Sequence, residues 1–138
     1  MQSKVHVYAG EMLAQYGFPD GHPFSPQRFD AFWREFTKRQ LDEKSNVKIC
    51  EPIKADPATI ALFHDQQYIE QVKQQSLTGE GYLDQGDTPA FPGVYEAAAY
   101  VVGSSVQAME DIMAGKCQHA FVPIAGLHHA RRDSASGF

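Results

Sequence analysis

Cysteine is nearly absent from this chain. Cys50 and Cys117 are the only two in 138 residues, far apart and at no metal-ligand spacing, so neither a disulfide framework nor a cysteine-based zinc module is indicated. Both read as reduced core residues. Positive charge is also scarce. Twelve Lys and Arg against seventeen Asp and Glu leave a net charge of −5, which excludes the basic footprint of a nucleic-acid binder. No apolar run approaches the ~20 residues of a membrane span, and the start "MQSKVHVYAG" has no long apolar signal region, so a cytoplasmic chain without a membrane partner is expected. Internal repeats and low-complexity tracts are missing as well.

What remains is the composition of a folded protein, 43% hydrophobic and 21% charged, with length for one domain over residues 1–138. A chain of this size buries about two-thirds of its unfolded surface. "KVHVYAG" (4–10) is β-branched and aromatic and ends in Gly, which predicts a strand. A turn-rich stretch, "YGFPDGHPFSP" (16–26), follows; Ser25 is the expected N-cap and Pro26 the first residue of a helix to about Gln40, with Phe29, Phe32, Trp33 and Phe36 on its buried face.

"VKICEPI" (47–53) predicts a second strand, and Asp56 and Asp65 are expected to cap two further helices. Residues 76–92 form a long loop with three Gly and two Pro, of the kind that often carries function. Between Gly93 and Gly115, Val94, Ala98, Val101, Val102, Ser105, Met109 and Ile112 recur near the helical period, with Glu110 and Asp111 off the stripe. Within it, Gly103-Ser104-Ser105 admits a close neighbour. "HAFVPIAG" (119–126) has the apolar pattern of a strand covered on both faces. Strands alternating with helices imply an α/β fold with parallel strands and right-handed crossovers, the strand near 4–9 lying between those near 47–53 and 119–125.

In such sheets ligands gather beyond the carboxyl ends of the strands, and "GLHHARRDSASGF" (126–138) leaves the last one. Adjacent histidines point apart and seldom chelate one ion, and no Asp, Glu or Cys at ligand spacing supports His128 and His129 as a metal site. Ser134 and Ser136 lack the context of a nucleophile elbow. An acid–base pair suits imidazole best, and a structural role for the pair stays open.

The segment "GLHHARRDSASGF" closely resembles the double-histidine motif of the histone deacetylase superfamily, and particularly the bacterial acetoin-utilisation type. "GHPFSPQR" (21–28), "FHDQQYIEQV" (63–72) and "GDTPAFPGVYEAAAYVVGSSVQAM" (86–109) resemble other family segments in the same order, so the likeness runs along essentially the whole chain. It implies the N-terminal part of a three-layer arginase/deacetylase fold, with about three parallel strands. It also implies a zinc-dependent hydrolase acting on acetylated lysine or amines, through a metal-activated water and a proton-moving histidine pair.

Carried over by motif, His128 and His129 are that pair, the second the general base. Asp87 is the rim aspartate that grips substrate backbone, Gly137 and Phe138 form the acyl-tunnel wall, and Arg28 lies behind the site beside an acetate-release cavity. Read without the family, Asp87 is a turn former, Phe138 a core aromatic and Arg28 a solvated first-turn residue; His22 and His64 are taken as structural. The family's zinc ligands and its tyrosine lie beyond residue 138. The expectation is therefore a domain truncated within its His-His motif, with no metal or cofactor of its own, inactive alone, and self-associating as a homo-oligomer. The alternative is a non-catalytic interaction module.

Overall fold

The computed structural model describes residues 4–126 and 129–137. Eight elements follow in the order β1 (Val5–Tyr8), α1 (Glu11–Ala14), α2 (Gln27–Lys38), β2 (Val47–Cys50), α3 (Pro57–Ile60), α4 (Gln66–Thr78), α5 (Val94–Met113) and β3 (His119–Phe121). The strands form one parallel sheet in the order β2-β1-β3, the expected arrangement. Val5 pairs with Val47 on one side and with His119 on the other.

The main core lies around β1, where Val7, Leu13, Phe18 and Phe29 pack with Ala97 and Val101 of α5. Phe29 and Trp33 of α2 stack with centroids 6.3 Å apart, which gives the predicted aromatic face its partners. Asp56 and Asp65 cap α3 and α4 as expected, each accepting a backbone N–H three residues on at 2.8 Å. Gly103 is the predicted close approach. A Cβ there would collide with the Ile53 carbonyl and the Ala55 amide, and the segment is tied to α5 by Ile53 N–H donating to Ser104 Oγ at 3.0 Å and Ala55 N–H to the Ala99 carbonyl at 2.9 Å.

Three expectations are corrected. Pro26, not Ser25, is the N-cap of α2; the Ser25 side chain makes no cap bond, and its carbonyl instead accepts Arg28 N–H at 3.2 Å. The stripe of α5 is rotated from the predicted one. Met109 and Ile112 are 59% and 43% exposed, whereas Asp111 is 5% exposed, because β1 turns His6 and Tyr8 toward it and makes a buried carboxylate satisfiable there. Strand β3 is three residues long with Phe121 48% exposed, rather than an apolar strand covered on both faces. Among the described residues it pairs with β1 alone, which leaves one of its edges open, and Phe121 is covered in part by Phe32, ring centroids 5.4 Å apart. No helix among them is long and apolar enough to cross a membrane.

Candidate functional site

The loop between α4 and α5 is ordered by one carboxylate. Asp84 Oδ1 accepts the backbone N–H groups of Gly86, Asp87 and Thr88 at 3.0, 3.0 and 2.9 Å, while Oδ2 accepts Thr88 Oγ1–H at 3.0 Å. Burial alone would raise this carboxyl, but the donors from Gly86, Thr88 and Asp87 outweigh it and hold the group below the usual carboxylate range. Thr88 is fully buried beneath the turn, and Asp87, next to it, is left exposed at the rim.

A second clamp comes from the turn-rich segment after β1. His22 Nδ1 accepts Phe24 N–H at 3.1 Å, which leaves Nε2 to donate to the Asp87 carbonyl at 2.7 Å. The signal for both clamps was in the sequence: an Asp two residues before Gly and three before Asp87, and a His inside a Gly-His-Pro turn.

The segment after β3 folds back on itself. His129 N–H donates to the Ser136 carbonyl at 2.9 Å and Arg131 N–H to the Ser134 carbonyl at 2.7 Å. Arg132 anchors the hairpin: its guanidinium donates to the Phe63 carbonyl at 3.2 Å, and its own carbonyl accepts Asp65 N–H at 2.9 Å. The two loops face each other across a groove of about 740 Å³, lined by Asp84, Gly86 and Asp87 on one wall and by His129, Arg131 and Ser136 on the other. Acidic residues therefore line one wall, and a histidine and an arginine the other.

Of the predicted site residues, the structure brings Asp87 and His129 together in this groove. Gly137 follows the groove-lining Ser136 with φ 74, a left-handed conformation that suits Gly. His128 and Phe138 lie outside the described residues. Arg28 is exposed in the first turn of α2, its guanidinium 4.1 Å from the centroid of Phe24, and it does not line the groove.

An apolar cavity of about 360 Å³ lies beside the hairpin, between α4 and α5, with His64 and Tyr95 in its wall. Elsewhere, His6, Cys50 and Asp111 converge as the one group of possible metal donors among the described residues. None of those three lines the groove.

The three-stranded parallel sheet flanked by helices, with two loops meeting in a groove beside it, defines an α/β domain, and comparison with known proteins assigns its family. The histone deacetylase domain matches residues 22–138, and the chain belongs to that family. It is 32% identical over 145 residues to the acetoin utilization protein AcuC of Bacillus subtilis (strain 168), covering 100% of this chain and 37% of AcuC. Identity to the histone deacetylase clr6 of Schizosaccharomyces pombe is 28% over 145 residues, covering 99% of this chain and 35% of clr6. The crystal structure of the HDA15 HD domain superposes with a TM-score of 0.86 at 20% identity, over 99% of this chain and 40% of that one, which shows the fold. The chain thus spans little more than a third of the curated relatives it matches.

The zinc implied by the family resemblance finds no donor set among the groove's described residues. Both oxygens of Asp84 are taken by the turn, and Asp87 and His129 belong to no convergent group of three. What the groove offers is the Asp87 side chain as a hydrogen-bond acceptor and the His129 imidazole.

Proposed function

We propose that this chain furnishes the substrate rim and the histidine wall of a deacetylase active site for acetylated lysine or acetylated amines, in a reducing, cytoplasmic setting where Cys50 and Cys117 stay free. The observation that carries the reading is the groove in which the Asp87 loop and the His129 hairpin meet. Asp87 accepts from the amide N–H groups of the bound substrate, and His129, as general base, takes a proton from the attacking water and passes it to the leaving amine. Acid–base groups alone contribute about 10²–10⁴-fold to a rate. Without a metal-activated water, the 138-residue polypeptide by itself should gain no more than that factor over uncatalysed hydrolysis of an acetyl-lysine amide.

Binding tests the reading more directly than turnover. An acetyl-lysine peptide titrated into the labelled chain should shift the amides of residues 84–88 and 129–136, and Asp87→Ala should abolish those shifts. Shifts confined to other elements, or a response unchanged by Asp87→Ala, would refute it.

A second reading is favoured by β3. Its open edge and half-exposed Phe121 form a template for pairing with another copy, and the row of donors along residues 119–125 is interrupted only at Pro123. On that reading the chain acts as a homo-oligomeric interaction module.

A further inference from the structure

We propose that His6, Cys50 and Asp111 form a binding site for one zinc-class divalent cation. The site follows from the fold. Alternation along β1 turns His6 and Tyr8 to one face of the sheet, and the parallel register sets Cys50 beside Tyr8. Helix α5 crosses that face and brings Asp111 onto both: His6 Nδ1 lies 2.8 Å from Asp111 Oδ2, and Tyr8 O–H donates to the same oxygen at 2.7 Å.

One nitrogen, one sulfur and one carboxylate oxygen, each from a different element, lie within 4.8 Å of one another. That donor set suits zinc or cobalt, and a tetrahedral cage with bonds of about 2.0–2.3 Å sets its ligands roughly 3.3–3.7 Å apart. A rotamer change of half-buried Cys50 and a slight opening of the His6–Asp111 contact meet that requirement. Cys50 is partly exposed where His6 and Asp111 are buried, which gives the ion a way in.

A second observation points to a cation. Asp111 is buried in the last turn of α5, where the helix's own partial negative charge disfavours a carboxylate. The full positive charge in contact with it is Lys116, whose Nζ lies 3.1 Å from Oδ1 but whose side chain is 61% exposed. Such a lysine can turn into solvent and yield its place. Tyr8 O–H and Gln107 Nε2–H, the latter at 3.2 Å, would remain on the carboxylate and orient it. Binding forms the metal–sulfur bond as the Cys50 thiol proton leaves to solvent, and His6 ligates through Nδ1 as the neutral imidazole, its ring proton then residing on Nε2.

Cobalt(II) titrated into the reduced 138-residue chain tests this. One equivalent should bind with thiolate-to-cobalt charge-transfer absorption and intense tetrahedral visible bands. Cys50→Ser should remove the charge-transfer band and weaken binding about tenfold or more, Asp111→Asn should weaken it by a similar factor, and Cys117→Ala should leave both intact. Because Asp111→Asn can perturb folding, a measurement on the unaltered chain stands beside it: zinc should slow alkylation of Cys50 about tenfold or more, read by peptide mass. Alkylation unaffected by zinc, a band that survives Cys50→Ser, or a band lost with Cys117→Ala would each overturn the proposal.

Discussion

Replacing Gly103 by Ala sets two known effects against each other. In a solvent-exposed helix interior the change stabilises by about 1 kcal/mol, since Gly is the poorer helix former. In α5 the new methyl would strike the carbonyl of Ile53 and the amide of Ala55. Both are backbone atoms, so the obstacle cannot be removed by a rotamer change. The 53–55 segment must retreat, an overpacking cost of about 1–3 kcal/mol. Retreat also stretches the bonds from Ile53 N–H to Ser104 Oγ and from Ala55 N–H to the Ala99 carbonyl, now 3.0 and 2.9 Å, each worth about 1 kcal/mol.

Set against the propensity gain, the net is a loss of about 1–4 kcal/mol. Urea unfolding followed by far-UV circular dichroism should show the midpoint falling by about 0.5–2 M, given slopes of roughly 2 kcal/mol/M for small domains. Hydrogen exchange localises the effect, since the Ile53 and Ala55 amides should exchange faster while those of β1 follow only the global loss. A Gly103→Ala chain as stable as the parent, or more so, would show that the crossing is loose and that propensity decides.

Two further outcomes are expected. The Asp84 carboxyl is held below its ordinary value of 3.8, so its contribution to loop order is complete above that pH and lost as pH falls through the lowered value; the Gly86, Asp87 and Thr88 amides should titrate together below pH 3.8, and a shared midpoint at or above 3.8 would contradict the turn described. If β3 pairs with a second copy, light scattering at micromolar concentration should give a dimer that Phe121→Lys converts to monomer; a monomeric parent chain would remove the interaction-module reading.

The strand order, both aspartate caps and the close approach at Gly103 were legible because each rests on a local rule: β-branched runs, a cap before a proline or a helix, and a small residue inside a helix. The errors arose where tertiary partners override pattern. Asp111 reads as a surface residue until His6 and Tyr8, more than a hundred positions away, are seen to face it. Met109 and Ile112 read as core because an apolar side chain on a helix edge looks the same in sequence whether or not a neighbour covers it. The metal-ligand cluster was hidden for a related reason. Positions 6, 50 and 111 are brought together by strand register and by the return of α5, and no spacing rule along one segment encodes that. In the groove, residue types were readable for Asp87 and His129, but the clamps that place Asp87 were not given their roles.

Those clamps explain how a site can stand on loops and still have a defined shape. Two neighbouring strands support the walls: the hairpin carrying His129 leaves the carboxyl end of β3, and the segment carrying His22, which braces the other wall, leaves that of β1. The Asp87 loop comes from neither strand. It is fitted to the β1 segment by the His22 Nε2–H bond to the Asp87 carbonyl, and its own curvature is set by Asp84. The hairpin wall is fixed from behind, by Arg132 on the Phe63 carbonyl and by Asp65 N–H on the Arg132 carbonyl. Apolar packing of Leu83 and Ala90 against Val94 seats the base of the Asp87 loop, and hydrogen bonds between side chain and backbone or between backbones place its rim and the hairpin. Hydrogen bonds are directional where apolar contact is not, so the separation of Asp87 from His129 is set by a few polar groups. Altering His22 or Arg132 should therefore change the width of the groove before it changes the stability of the fold.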